Sequence, residues 1–96
     1  MEIKDILNSP TVVIIDLRDE KEFEKEHIEN AINIPYRLIP EKIEEIKEMA
    51  RPLVLCCGNQ KDCRTAHVYL SQHGLQNTYA GGSYLELNIL KEKQKE

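Results

Sequence analysis

Val12-Val13-Ile14-Ile15, bracketed by Thr11 and Asp16, is the stretch that leaves this chain the fewest folds. It is β-branched throughout, too short for a buried helix, and lacks the polar alternation of a strand with one wet face. Such a strand must be covered on both sides, which points to a parallel sheet. Pro52-Leu53-Val54-Leu55-Cys56 is expected to be the next buried strand.

Helix signals alternate with these runs. Ile3, Ile6 and Leu7 share one helical face and are closed by Asn8-Ser9-Pro10, which predicts a brief helix that caps the domain more than it fills its core. Asp19 to Glu26 favours helix, with Phe23 as the residue that would dock it on the sheet. His27 to Pro35 reads as a short alternating strand ended by proline. A second helix is expected from Pro40, turning Ile43, Ile46 and Met49 or Ala50 inward. Its charge run, Glu41 to Glu48, is most simply a solvated face. After the second buried strand, Ala66, Tyr69, Leu70 and His73 lie at helical spacing before Gly74. Leu75 to Ala80 is a last strand, Gly81-Gly82 a loop, and Ser83 the N-cap of a final helix carrying Leu85, Leu87 and Leu90. The prediction is one α/β domain over residues 1–96, a small three-layer sandwich. Its mainly parallel sheet has four to five strands and helices on both faces, and residues 91–96 are expected to fray.

With 96 residues there is room for one modest core. The net charge of −4 opposes nucleic acid and gives no support for binding anionic membranes. No apolar run reaches the roughly 18 residues of a membrane helix, and Met1 to Asp5 lacks the basic-then-apolar order of a secretory signal, so a cytoplasmic location is expected. The three cysteines, Cys56, Cys57 and Cys63, do not look like a disulfide framework. They do not match zinc spacing either, and no metal or other cofactor is expected.

Cys57 lies where a parallel strand ends, at the sheet edge where ligands collect. The segment after it, Gly58-Asn59-Gln60-Lys61-Asp62-Cys63-Arg64, brings loop amides, a helix start and two cations to the thiol, all of which lower its pKa. Asp62 acts in the opposite direction. Cys57 is therefore the candidate nucleophile, against the plainer role of a structural thiol. Cys56 belongs to the apolar strand as a small buried residue. Cys63 is placed near the helix start, where a resolving role is open, but nothing in the spacing fixes its distance from Cys57. His27, His67 and His73 are expected to be structural. Asp16 and Arg18 end the first buried strand and reach the same sheet edge, most simply as an ion pair ordering a loop.

Taken together these residues resemble the rhodanese-like domain family over nearly the whole chain. Val13-Ile14-Ile15-Asp16-Leu17-Arg18 looks like its Asp-x-Arg strand end, and Glu22-Phe23 like its Glu-aromatic pair. His27-Ile28 with Ala31-Ile32-Asn33-Ile34-Pro35 looks like its His-Ile and Asn-Ile-Pro block. Pro52 to Cys57 resembles the strand leading to the catalytic cysteine, with Ala66, Leu70 and Gly74 at the family's spacing and Gly81-Gly82 as its glycine pair. The resemblance implies a sulfurtransferase or sulfur carrier. Cys57 would take sulfane sulfur from a small anionic donor such as thiosulfate and pass the persulfide sulfur to a thiol, to cyanide or to a protein acceptor. The amides of Gly58 through Cys63 would stabilise the persulfide.

The loop departs from the family at Asp62, where arginine is common; there the carboxylate either repels an anionic donor or turns away to cap a helix beginning at Cys63. Capping is the expectation, leaving Lys61 and Arg64 to give the loop a net positive charge. Glu26 and Asn30 also replace glycines of the pattern. Two other functions compete: a non-catalytic rhodanese-like binding or regulatory module, and a related phosphatase or arsenate reductase. The second is disfavoured by the short loop, since reaching Arg64 would break the spacing to Leu70 and Gly74.

Overall fold

The computed structural model describes residues 2–94. Four strands form one sheet: β1 (Val13–Asp16), β2 (Ile32–Asn33), β3 (Leu53–Cys57) and β4 (Thr78–Ser83). Their order is β2-β1-β3-β4 and every pairing is parallel. Chain order runs outward in opposite directions from the β1/β3 pair, so the crevice at its carboxyl ends is the topological switch point, where ligands collect in open α/β sheets.

Both faces of the sheet are covered, as the uniform apolar runs require. All five β3 residues are buried and their side chains alternate. Leu53, Leu55 and Cys57 join one core cluster with Ile15, Ile46, Ala66 and Leu70. Val54 and Cys56 join the other with Ile6, Leu7, Ile14 and Leu87. The first cluster is closed by α3 (Ile43–Lys47) and α4 (Gln60–Gln72), the second by α1 (Ile3–Leu7) and α5 (Tyr84–Gln94). A short helix, α2 (Glu20–Lys25), and a 3-10 turn over Tyr36–Leu38 complete the chain. Each fully buried Leu, Ile or Val contributes about 1.5–3 kcal/mol, so β3 alone carries a large part of the core.

Several elements differ from expectation. Helix α1 is part of the core, with Ile6 and Leu7 buried. Phe23 does not dock on the sheet; α2 buries no residue, and Phe23 stacks on the His27 ring with centroids 3.8 Å apart. The strand expected over His27 to Pro35 shrinks to two paired residues, because Asn30 turns the chain with φ 70°. Pro40 stands outside α3, which starts at Ile43 after the 3-10 turn. Gly81 and Gly82 lie within β4, which carries a bulge there: Leu55 pairs with Ala80 but Cys56 with Gly82. Ser83 directly precedes α5, and its Oγ accepts from the Glu86 N–H at 3.3 Å while donating to Glu86 Oε1 at 3.0 Å. Helix α5 continues through Gln94, so residues 91–94 are helical and not frayed. The same expectation for residues 95 and 96 lies outside the described residues.

The two closing glycines are required for different reasons. Gly74 ends α4 with φ 84° and has open space around it, a left-handed helix stop that costs another residue about 1 kcal/mol. At Gly81 a Cβ would lie 2.6 Å from Val54 Cγ1 and 2.9 Å from both Leu55 O and Leu87 Cδ1. Urea unfolding is expected to show Gly81→Ala losing about 2 kcal/mol or more and Gly74→Ala about half of that. Equal losses would mean that the bulge relaxes to admit a methyl group.

Candidate active site

Only Gly58 and Asn59 separate β3 from α4. Asn59 caps the helix: its Oδ1 accepts from the Asp62 N–H at 2.9 Å. Its Nδ2 donates to Asp62 Oδ2 at 3.3 Å. The cap is therefore Asn59 and the helix begins at Gln60, three residues earlier than expected. Asp62 caps nothing itself; it is the acidic residue of the first turn, where the helix dipole favours it. A two-residue connection folds α4 straight back over the strand end, which is why the first turn reaches Cys57.

Strand parity decides what each cysteine meets. Cys57, the last residue of β3 and not a loop residue, faces α4; Cys56 faces the opposite cluster. Cys57 is joined by a disulfide to Cys63, one turn into α4, with Cα atoms 5.7 Å apart. The sequence left a resolving role open for Cys63 but did not fix this pairing, because six residues across a strand, a loop and a helix turn have no characteristic span until the tertiary path is set. Both sulfurs are buried and crowd carbonyl oxygens. Cys57 Sγ lies 3.3 Å from Gly82 O, and Cys63 Sγ lies 3.4 Å from Leu55 O and 3.6 Å from Gly82 O. The β4 bulge is what aims the Gly82 carbonyl at them. Cys63 Sγ thus meets two carbonyls and Cys57 Sγ one.

On the other face, burial pushes the Cys56 thiol up to about 12, with the Asp16 charge adding to the shift and Arg18 partly offsetting it. Cys56 is thus a neutral, free core thiol. Asp16 is fully buried beneath Arg18, and the two make an ion pair of 3.0 Å between Asp16 Oδ2 and Arg18 Nη2. Arg18 also donates to Glu26 O at 2.8 Å and covers the Tyr84 ring at 4.0 Å. The Asn33 amide donates to both Asp16 O and Arg18 O at 3.0 Å, tying β2 to this corner. The sequence carried Asn33 only as part of a motif, and its clasp follows from the β1–β2 register.

The crevice at the switch point has a volume of about 290 Å³ and is lined by Leu17, Arg18 and Asp19 from the β1 end and Gly58, Asn59 and Asp62 from the β3 end, with Glu22, Tyr36 and Arg37. Tyr36 and Arg37 come from the 3-10 turn, which no sequence signal marked. Asp16 lies beneath this crevice, while Lys61 and Arg64 lie outside its lining. Its lining thus carries two guanidinium groups against three carboxylates, reversing the positive balance expected from the loop alone. Gln60, Cys63 and Arg64 instead line a second depression, with Gly81, Gly82 and Glu86. The histidines stay structural: His27, His67 and His73 donate a ring N–H to the carbonyls of Phe23, Thr78 and Tyr69 at 2.8, 2.8 and 2.9 Å. Among the described residues no three His, Cys, Asp or Glu side chains converge as metal ligands, and no helix is long and apolar enough to cross a membrane.

Because Cys56 is protonated in the folded chain well above the usual 9.0, raising the pH favours the unfolded chain, which releases that proton first. Between about pH 8 and about pH 10.5 the oxidised wild type is expected to lose about 2 kcal/mol more stability than Cys56→Ala. Parallel stability curves for the two proteins across that range would show that Cys56 ionises normally.

Comparison with known proteins agrees with this fold. The family model described as Rhodanese-like domain matches residues 1–84. The chain is 30% identical over 83 residues to a tRNA uridine(34) hydroxylase of Hamiltonella defensa, covering 81% of this chain and 23% of that protein. It therefore spans about a quarter of the length of the curated relatives it matches. Among solved structures it is similar to a rhodanese with anions from E. coli, with a TM-score of 0.66 and 25% identity over 76% of this chain and 87% of that one. A rhodanese-like domain from Anabaena superposes with a TM-score of 0.71 at 21% identity over 95% of this chain and 69% of that one, a likeness of fold. With the family model matching most of its length, the chain belongs to the rhodanese-like domain family.

Proposed function

We propose that the reduced protein is a sulfurtransferase or sulfur carrier that moves sulfane sulfur through a persulfide on Cys57. One observation carries this: Cys57 ends the central strand at the topological switch point, facing the first turn of a 13-residue helix. The Cys57 thiolate attacks the outer sulfur of a donor R–S–S⁻ or of thiosulfate. A new Sγ–S bond forms, the donor's S–S bond breaks, and thiolate or sulfite leaves with the electron pair. The amides of Gly58 to Lys61, which the Asn59 cap leaves free, and the α4 dipole favour the anionic persulfide, so no side-chain base is called for. An acceptor then attacks the outer sulfur: cyanide departs as thiocyanate and a thiol as a new persulfide, and Cys57 is returned as thiolate.

The donor class follows from charge. Thiosulfate is a dianion, and the crevice offers Asp19, Glu22 and Asp62 against two guanidiniums, of which Arg18 is already paired with Asp16. A singly charged persulfide, small or on a partner protein, fits better. Two residues of loop leave no cradle for a phosphate or arsenate oxyanion. The hydroxylase activity named for the relatives belongs to proteins about four times as long, and a net charge of −4 gives this chain little attraction for RNA. A reducing compartment such as the cytoplasm, which holds Cys57 as a thiol, is part of the proposal. A binding or regulatory module without turnover is the second reading, favoured by the carboxylate of Asp62 in the crevice.

Reduced protein mixed with cyanide and either thiosulfate or a persulfide donor is expected to release thiocyanate, with the persulfide the faster donor, and Cys57→Ala is expected to be at background. If no donor yields sulfur on any thiol, the module reading replaces this one. Asp62→Arg is expected to raise the thiosulfate rate about fivefold or more while costing about 0.5 kcal/mol of stability at the helix start. An unchanged rate would show that crevice charge does not govern donor choice.

A further inference from the structure

We propose that Cys63 is a resolving cysteine, and that the protein converts the Cys57 persulfide to free hydrosulfide at the expense of a dithiol reductant. This rests on the Cys57 persulfide proposed above and assigns that site a second outlet for its sulfur. The two sulfurs are already bonded, through Cα atoms 5.7 Å apart, with no rearrangement of strand or helix needed to bring them together. Cys56, the other thiol, is on the far face of the sheet and cannot take this part.

The step balances. Cys63–SH attacks Cys57 Sγ of Cys57–S–S⁻; the Cys57–Cys63 disulfide forms, the Sγ–S bond breaks, and the outer sulfur leaves as HS⁻ with the electron pair and the Cys63 proton. The sulfane sulfur is reduced and the two cysteine sulfurs are oxidised. Recovery needs a dithiol. Its thiolate attacks Cys63 Sγ, the sulfur that meets a surface depression, and expels Cys57 as thiolate. The second thiol of the reductant then frees Cys63 and leaves as the oxidised dithiol. Cys63 lines the depression formed with Gln60, Arg64, Gly81, Gly82 and Glu86, whereas the switch-point crevice opens on the Gly58 side of the loop. Cys63 is thus the sulfur of the pair that meets a surface depression, whose two charged side chains, Arg64 and Glu86, are of opposite sign, while Cys57 lines neither depression.

The test uses reduced chain, without oxygen or added acceptor, given thiosulfate or a small persulfide. Donor product (sulfite or thiol), hydrosulfide and the mass of tryptic peptides are followed; cleavage at Lys61 separates Cys57 from Cys63. Wild type is expected to release one hydrosulfide per donor product and to end with its Cys57 and Cys63 peptides cross-linked, at a rate independent of protein concentration. Cys63→Ser and Cys63→Ala are expected to keep the sulfur as a mass gain on the Cys57 peptide, with hydrosulfide release falling by tenfold or more. If wild type keeps its added sulfur as long as the Cys63 variants do, resolution by Cys63 is overturned while sulfur transfer by Cys57 stands. If neither wild type nor variants yield donor product or gain sulfur, the Cys57 proposal itself fails and this one with it.

Discussion

Burial of β3 on both faces is the constraint on which the rest depends. All five of its side chains are enclosed, so alternation sends Leu53, Leu55 and Cys57 into one cluster and Val54 and Cys56 into the other. A slip of one residue would exchange the two cysteines. Cys56 would then face α4, and Cys57 would be the neutral thiol set above the buried carboxylate of Asp16. The pairing of β1 with β3 over four successive residues prevents that slip. Adjacent cysteines thereby acquire opposite chemistry, one beside a helix N-terminus and the other in a medium that keeps it protonated.

Around this strand the site is assembled from short-range devices. Asn59 supplies the cap that lets α4 begin with only two residues between it and β3, and the first turn then lies over the strand end. The bulge in β4 turns the Gly82 carbonyl toward the sulfurs. Asp16, Arg18 and Asn33 lock the β1 corner, with one buried carboxylate satisfied by the guanidinium and the backbone N–H of Arg18 and with Asn33 holding the Asp16 carbonyl. Removing either partner of such a pair leaves a buried charge at a cost of about 3–5 kcal/mol, so this corner is structural even though Arg18 lines the crevice.

The crevice and the sulfur pair place opposing demands on the loop. A nucleophile is helped by positive potential, and Arg18 and Arg37 are present. Yet Arg18 is engaged by Asp16, and Arg37 contacts Asp19 and Glu20 at 3.7 and 3.1 Å. The cations not consumed in this way, Lys61 and Arg64, project outside the crevice because they follow Gln60 around the helix. The crevice and the depression beside Cys63 therefore lie on different sides of the first turn of α4.

Much of this was legible in residue order. The β-branched run at Val12 to Ile15 and the apolar run at Leu53 to Cys56 required strands covered on both faces, and helix signals between them left a parallel α/β sheet as the solution. The placement of Cys57 at a strand end before a helix was likewise local information, as was the burial expected of Cys56 inside an apolar strand. What the tertiary structure alone decided were distances between groups that sequence spacing does not relate: the Cys57–Cys63 bond, the Gly82 carbonyl against both sulfurs, the Asn33 clasp, and Tyr36 and Arg37 in the crevice. Periodicity reports which face a residue occupies on its own element. It carries nothing about how a two-residue turn aims one element at the next, and that angle set the sulfur pairing and the charge of the site.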